Sequence, residues 1–304
     1  MRKNRPSRTA PKVGATILYV AQDPRYAALL PAGLTEETER LLLASGALKP
    51  WHLRLARTRW YRWFVEAMVS KMAPGHLVYL ALRKRFVQDE VESALAAGAS
   101  QVLIIGAGMD TLCLRLAPDH ADVTFVEVDH PASQGMKREA VDRISAGRPN
   151  LHLLPVDLEA SDLAETLAAH PGWRGDARTM VVAEGVLEYL AAETVVRVFD
   201  AVARATGPGS RFLFAYALQD ETGRVRIGKV TRLQGAMMKA SGEGLRWGVR
   251  EGDLETFLEA QGYRPFGSPE RVDLSERYLA PAGLEGPLGG IEFVALAEPV
   301  ASQD

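Results

Sequence analysis

Two glycines and five acids in the middle of the chain have the types and spacing to hold a nucleotide-like ligand. Gly106-Ala-Gly108-Met-Asp110 follows the apolar run Gln101 to Ile105. Glycines where a strand hands over to a helix let backbone N–H groups approach a ligand without a Cβ in the way. Two cofactor classes use such a turn. A dinucleotide fingerprint wants Gly-x-Gly-x-x-Gly, so that the helix N-terminus meets a pyrophosphate. Here Thr111 stands at the third glycine position and Asp110 precedes it, and a carboxylate competes with phosphate for the positive helix end. S-adenosylmethionine carries no phosphate, so Asp110 is compatible with it. The next apolar run ends Glu127-Val-Asp129, where an acid can accept hydrogen bonds from both ribose hydroxyls in either class. Asp157 suits an adenine amino group, and Glu184 falls where an amino-acid end of the ligand would lie. The plain alternatives, a tight turn and ordinary strand-end acids, stay open on these residues alone.

The elements that must position these groups alternate. Gln101–Ile105, Val123–Val126, Leu151–Val156, Thr179–Ala183 and Arg211–Tyr216 are short β-rich runs, apolar on consecutive positions. Such runs mark parallel strands buried on both faces. Between them lie helical spacings, such as the face Val195, Val198, Phe199 and Val202. The pattern predicts an α/β fold: a Rossmann-like, doubly wound, mostly parallel seven-stranded sheet. Tyr263–Phe266 and Ile291–Ala297 supply the last two strands, the final one antiparallel. Pro208-Gly209 reads as a turn and Asp253-Leu254 as a helix start. Residues 1–95 read as an N-terminal helical lid region and 96–304 as the core, with an acceptor-site insertion near 219–249.

Composition excludes several classes. The 304 residues are 47% hydrophobic and carry a net charge of −2, enough for one large core and no surplus of positive charge for nucleic acid. One cysteine, Cys113, cannot staple a fold, and no Cys/His spacing suggests a metal, so a reducing, cytoplasmic setting is expected. Arg2, Lys3, Arg5, Arg8 and Lys12 before the apolar run Val13–Ala21 superficially mimic a signal peptide. Pro6 and Pro11 among the charges, and the lack of a small-x-small site before Asp23-Pro24, favour a basic tail leading into a helix. No apolar stretch approaches the ~20 residues of a membrane span.

Taken in order, Gln101-Val-Leu-Ile-Ile-Gly-Ala-Gly-Met-Asp-Thr111, Arg115-Leu116, Glu127-Val-Asp-His-Pro131, Lys137, Val156-Asp-Leu158 and Ala183-Glu-Gly-Val-Leu-Glu-Tyr-Leu190 resemble the leucine carboxyl methyltransferase family. The likeness runs from about Arg83 to Tyr216 and more loosely from residue 15 to 300. It implies S-adenosyl-L-methionine as cofactor and a small-molecule or peptide methyl acceptor. Carried over, it places Arg83 on the cofactor's carboxylate, with Lys84 and Arg85 as competitors for that role. Gly106 and Gly108 lie under the methionine part, Asp129 on the ribose, Asp157 and Leu158 around the adenine, Glu184 by the methionyl end and Tyr189 near the acceptor. The family usually carries an apolar residue where this chain has Glu188. On a helix start, Glu184 and Glu188 would share a face, with Glu188 either pointing to solvent, the favoured reading, or lining the acceptor pocket.

A carboxylate acceptor is ionised at neutral pH and needs no base; a phenol or alcohol needs one. His130, beside Asp129, is the nearest histidine and reads as structural. Arg246 and Arg250 are candidate anion-holding groups. The expected activity is O-methyl transfer, carboxyl preferred, in natural-product chemistry. The rivals are phenol or alcohol O-methylation, a nicotinamide-dependent oxidoreductase, and a non-catalytic cofactor-binding protein. Lys49–Met72 holds Trp51, Trp60 and Trp63 interleaved with Arg54, Arg57, Arg59 and Arg62. Placed on one helix, Leu53, Ala56, Trp60, Phe64 and Ala67 share a face. Either the aromatics pack on the core, or the segment is a lid, an acidic-substrate clamp or a membrane-surface helix. Met237, Met238, Arg246 and Trp247 could form another wall of the acceptor pocket.

Overall fold

The computed structural model describes residues 9–61, 63, 65, 67, 74–145, 148–225, 244–267, 272–286, 288, 289 and 292–300. Strands β1 (Gln101–Ile105), β2 (Thr124–Asp129), β3 (Leu151–Pro155), β4 (Thr179–Ala183) and β5 (Arg211–Gln219) run parallel. A two-residue β6 (Val249–Arg250) pairs with the end of β5. The last strands are β7 (Tyr263–Pro265) and β8 (Glu292–Pro299). The path β3-β2-β1-β4-β5-β8-β7 makes the expected seven strands, with β6 an eighth beside it, and β8 is antiparallel to both its neighbours. Ile291 lies outside the described residues.

Every residue of β1 and β4 is buried, as consecutive apolar positions at the centre of a sheet require. β3 departs from that expectation. It is the sheet edge, and its residues are half-buried or exposed, Leu151, Leu153 and Leu154 included. Pro155 closes it where no further strand needs its missing N–H.

The helices are α1 (Ala10–Val20), α2 (Pro24–Ala27), α3 (Leu34–Ala44), α4 (Pro50–Ala56), α5 (His76–Ala96), α6 (Leu112–Leu116), α7 (Pro131–Ile144), α8 (Leu163–Ala168), α9 (Ala192–Ala205) and α10 (Leu254–Ala260). One sheet face packs on α8, α9 and α10, and the other on α5 and α6. The face Val195, Val198, Phe199 and Val202 of α9 is fully buried. Phe199 there meets the rings of Phe212, Phe214, Phe257 and Tyr263 at 4.9–5.3 Å. A third cluster ties Leu18 of α1 and Leu41 and Leu42 of α3 to Met109, Leu114 and Ala140. This cluster fixes the N-terminal helices beside the loop that follows β1. The basic tail before α1 lies outside the described residues apart from Thr9.

The tryptophan-rich segment is not one helix. α4 ends at Ala56, and Thr58 turns back to donate its hydroxyl to the Leu55 carbonyl at 2.6 Å. Leu53 packs against the third cluster, but Trp51, Trp60 and Trp63 are 55%, 62% and 70% exposed. The reading that packs these aromatics on the core is therefore overturned: the break at Arg57-Thr58 destroys the single face that it needed. Arg57 pairs with Glu39 at 3.2 Å. Arg62, Phe64 and Met72 lie outside the described residues, as do Met237 and Met238 of the insertion; Trp247 is buried in the core. Among the described residues, no helix is long and apolar enough to cross a membrane, and no cluster of His, Cys, Asp and Glu could hold a metal.

Candidate active site

A cavity of about 390 Å³ opens at the carboxyl ends of β1, β2 and β4, with Val156 and Asp157 following β3. The chain order reverses between β1 and β4, and open α/β sheets bind ligands at that switch point. Ala10, Val13 and Ile17 of α1 and Leu34 and Thr38 of α3 wall the opposite side. No described residue of the tryptophan-rich segment lines the cavity. Among the described helices of the N-terminal region, α1, α3 and α5 do.

Ten of the candidate residues meet here; Arg250, offered as an anion-holding group, does not line the cavity. Gly106, Gly108 and Asp110 line the floor; Asp129, Asp157 and Leu158 line one end; Arg83, Glu184 and Tyr189 line the other; Arg246 sits at the rim. Glu127 does not reach it. It lies two residues back along β2, roughly 6.6 Å deeper into the sheet. Its carboxylate is wholly buried and pairs with Lys137 at 2.5 Å, beside the buried Cys113 thiol.

The glycine turn is shaped by contacts that exclude side chains. Gly106 and Gly108 have φ of +71° and +49°, which L-residues with a Cβ avoid. A Cβ on Gly106 would meet Val186 at 2.5 Å, and one on Gly108 would meet Ala10 of α1 at 2.8 Å. The Gly106 N–H donates to the Val128 carbonyl at 2.8 Å, and the Gly108 N–H donates to Asp129 Oδ2 at 2.5 Å. Asp129 Oδ1 also accepts from the His130 N–H at 2.6 Å. Burial raises the Asp129 carboxyl above its ordinary range, with these two N–H groups opposing. His130 lines the cavity as well and caps α7, its Nδ1 accepting from the Ala132 N–H.

The opposite end is a buried charge network. Arg83 of α5 donates from Nε to Glu184 Oε1 at 2.8 Å and from Nη1 to Glu292 of β8. Lys84 bridges Asp110 and Glu184 Oε2, the latter at 2.9 Å. Burial alone would raise the Asp110 carboxyl, but Lys84, then Lys137, hold it well below the usual carboxylate range. Arg85 turns away to Asp89 at 2.7 Å, one helical turn on. Of the three adjacent bases, Arg83 and Lys84 line the cavity and Arg85 does not. Arg246 pairs with Glu159 at 2.6 Å, both partly exposed. Asp157 Oδ1 accepts from the Glu159 N–H at 3.0 Å.

Both expectations for Glu188 fail. It sits in a 3₁₀ turn, Leu187–Tyr189, rather than on a helix with Glu184, and it is fully buried without lining the cavity. Sequence reasoning missed two further contributors: Lys84 as a bridge, and Glu292. The run of bases at 83–85 already held the first. The second depends on a tertiary contact across most of the chain.

Together these features define a Rossmann-like site for a nucleoside cofactor rather than a dinucleotide, because the acid Asp110 stands just before α6, accepting from the Leu112 N–H at 2.6 Å where a pyrophosphate would lie. The leucine carboxyl methyltransferase family profile matches residues 22–203, and the chain belongs to that family. A provisionally named S-adenosyl-L-methionine-dependent methyltransferase of Parafrankia sp. is 37% identical over 48% of this chain and 45% of its own length. A similarly named protein of Mycobacterium avium is 30% identical over 66% of this chain and 65% of its own length. The chain thus spans 45% and 65% of the lengths of these two relatives. A solved methyltransferase structure from Thermobifida fusca aligns with a TM-score of 0.51 at 18% identity, over 91% of this chain and 98% of that one, and shares the fold. The relatives it resembles are thus named as S-adenosylmethionine-dependent methyltransferases.

Proposed function

We propose that the chain transfers a methyl group to oxygen, and to a carboxylate in preference to a hydroxyl. The observation that carries this reading is the state of the cavity's bases. Asp110 and Glu184 are tied to Lys84 and Arg83, Asp129 accepts two backbone N–H groups, and His130 Nδ1 accepts the Ala132 N–H. A hydroxyl acceptor needs a base to take its proton, whereas a carboxylate arrives ionised. The family's own description, carboxyl methylation, points the same way.

The residues fit the cofactor. The side-chain-free surface of Gly106 and Gly108 is the close-approach cradle that the methionine part requires, and Asp129 faces the same space as a ribose acceptor. Asp157 and Leu158 would border the adenine, and Arg83 and Glu184 would take the amino-acid carboxylate and ammonium. When bound, the cofactor supplies an electrophilic methyl group on a sulfonium leaving group. The protein's part is orientation and exclusion of water. α1 and α3 cover the acceptor side with apolar groups, and Tyr189 borders it. Arg246 can exchange Glu159 for an acceptor carboxylate at little cost, since an exposed ion pair is worth about 0–1 kcal/mol.

The test is a transfer assay with methyl-labelled cofactor against matched carboxylic acids, phenols and alcohols. Labelled product that mild alkali hydrolyses to methanol identifies an ester. Alkali-stable label on phenols or alcohols alone would replace this reading with hydroxyl methylation.

A further inference from the structure

Behind the cavity wall, three carboxyl groups crowd one guanidinium. Arg83 gives Nε to Glu184 and Nη1 to Glu292, and its side chain is almost fully buried. Glu292 opens β8, where it pairs with Ala217 of β5, and its backbone carbonyl accepts the Tyr79 hydroxyl at 2.6 Å. Tyr79 is one turn before Arg83 on α5, and its ring lies against the guanidinium at 6.0 Å. The Glu292 backbone is therefore fixed by both the sheet and the helix, and its carboxylate is held by Arg83. Nη2 makes no hydrogen bond among the described residues. It lies beside Gly185, which lines the cavity: a Cβ there would come within 3.7 Å of Nη2 and 4.0 Å of Glu188 Oε1.

We propose that Glu292 is a positioning residue for the cofactor: by holding Nη1 while Glu184 holds Nε, it leaves Nη2 of Arg83 for the carboxylate of the cofactor's amino-acid end, and Glu188 fixes Glu292 in turn. This rests on the placement of that carboxylate at Arg83. An arginine reads carboxylates through a rigid planar fork, so fixing two donors sets the direction of the third. Glu188 explains itself in this arrangement. Among the described residues, no donor but its own backbone N–H approaches its carboxyl oxygens, and an ionised carboxylate would be stranded beside Glu292. A protonated Glu188 instead supplies an O–H to the Glu292 carboxylate. Burial, and then the Glu292 charge, push the Glu188 carboxyl well above its ordinary range, while Arg83 holds Glu292 low against its own burial.

The experiment is calorimetric titration of the full chain with S-adenosylhomocysteine and, separately, 5′-methylthioadenosine, which lacks the amino-acid carboxylate. Glu292→Gln is expected to weaken S-adenosylhomocysteine about tenfold or more, as loss of a charge-assisted contact does, and to leave methylthioadenosine unchanged. Equal weakening of both ligands, or of neither, overturns the proposal. Should Glu292→Gln fail to fold, Glu188→Leu decides. It should weaken S-adenosylhomocysteine selectively, with Glu188→Gln restoring affinity because the amide also donates; a non-selective loss or no loss overturns the proposal. Arg83→Lys separates the two levels. If it affects both ligands equally, the placement of the cofactor's carboxylate is wrong. If it is selective and Glu292→Gln is not, only the role of Glu292 falls.

Discussion

The two ends of one cavity hold arginine–carboxylate pairs of nearly the same length, 2.8 Å at Arg83–Glu184 and 2.6 Å at Arg246–Glu159, in opposite surroundings. Arg83 is buried with Glu184 and Glu292 out of reach of water, whereas Arg246 and Glu159 share their charges with water. Burial, not geometry, decides what each pair does. A buried pair fixes a direction and is costly to break; an exposed one is a replaceable contact.

The largest effect should come from breaking the buried end. Arg83→Met leaves Glu184 and Glu292 short of a counter-charge and should cost about 3–5 kcal/mol of stability, read by denaturant unfolding. Loss of under about 1 kcal/mol would mean that the network does not behave as a buried one. Next comes the cradle: Gly106→Ala puts a methyl 2.5 Å from Val186 at a φ of +71°. It should lose roughly 1–3 kcal/mol and abolish cofactor binding, and unchanged affinity would contradict the close approach assigned to this turn.

Glu188→Gln should act in the opposite direction. A carboxyl whose folded value lies above its ordinary 4.5 contributes stability that is fully present below that value and is lost as pH rises toward the folded one. The amide removes that loss, so the variant should melt higher than the wild type at pH 7–8, by an amount on the order of 1 kcal/mol, with the gain vanishing near pH 4. A gain independent of pH would show that Glu188 is not held protonated. The smallest effect falls at the rim. Arg246→Ala should change stability by less than about 0.5 kcal/mol and raise KM for a carboxylate acceptor with cofactor affinity unchanged, measured in the labelled-methyl assay.

What the sequence could disclose follows the same division. Gly106, Gly108, Asp129, Asp157 and Glu184 stand at the ends of apolar runs, so local pattern places them at one edge of a parallel sheet. The parallel direction of β1 to β5 follows from the same alternation, whereas the order of the strands in the sheet comes only from the fold. Glu188 was beyond that logic, because a helix was assumed where the chain makes a 3₁₀ turn. Glu292 lies more than 200 residues from Arg83, and only the completed sheet brings β8 to α5. The tryptophan segment misled for a third reason: helical spacing was legible, but the break at Arg57-Thr58 that interrupts it carries neither proline nor glycine.

The account stands most directly on the cofactor end that Asp129 defines. Titration of S-adenosylhomocysteine into the wild type and into Asp129→Ala, with NADPH as control, tests it. Micromolar binding of the nucleoside alone, lost in the variant, is the predicted result; binding of NADPH, or an Asp129→Ala variant that binds S-adenosylhomocysteine as the wild type does, would contradict it.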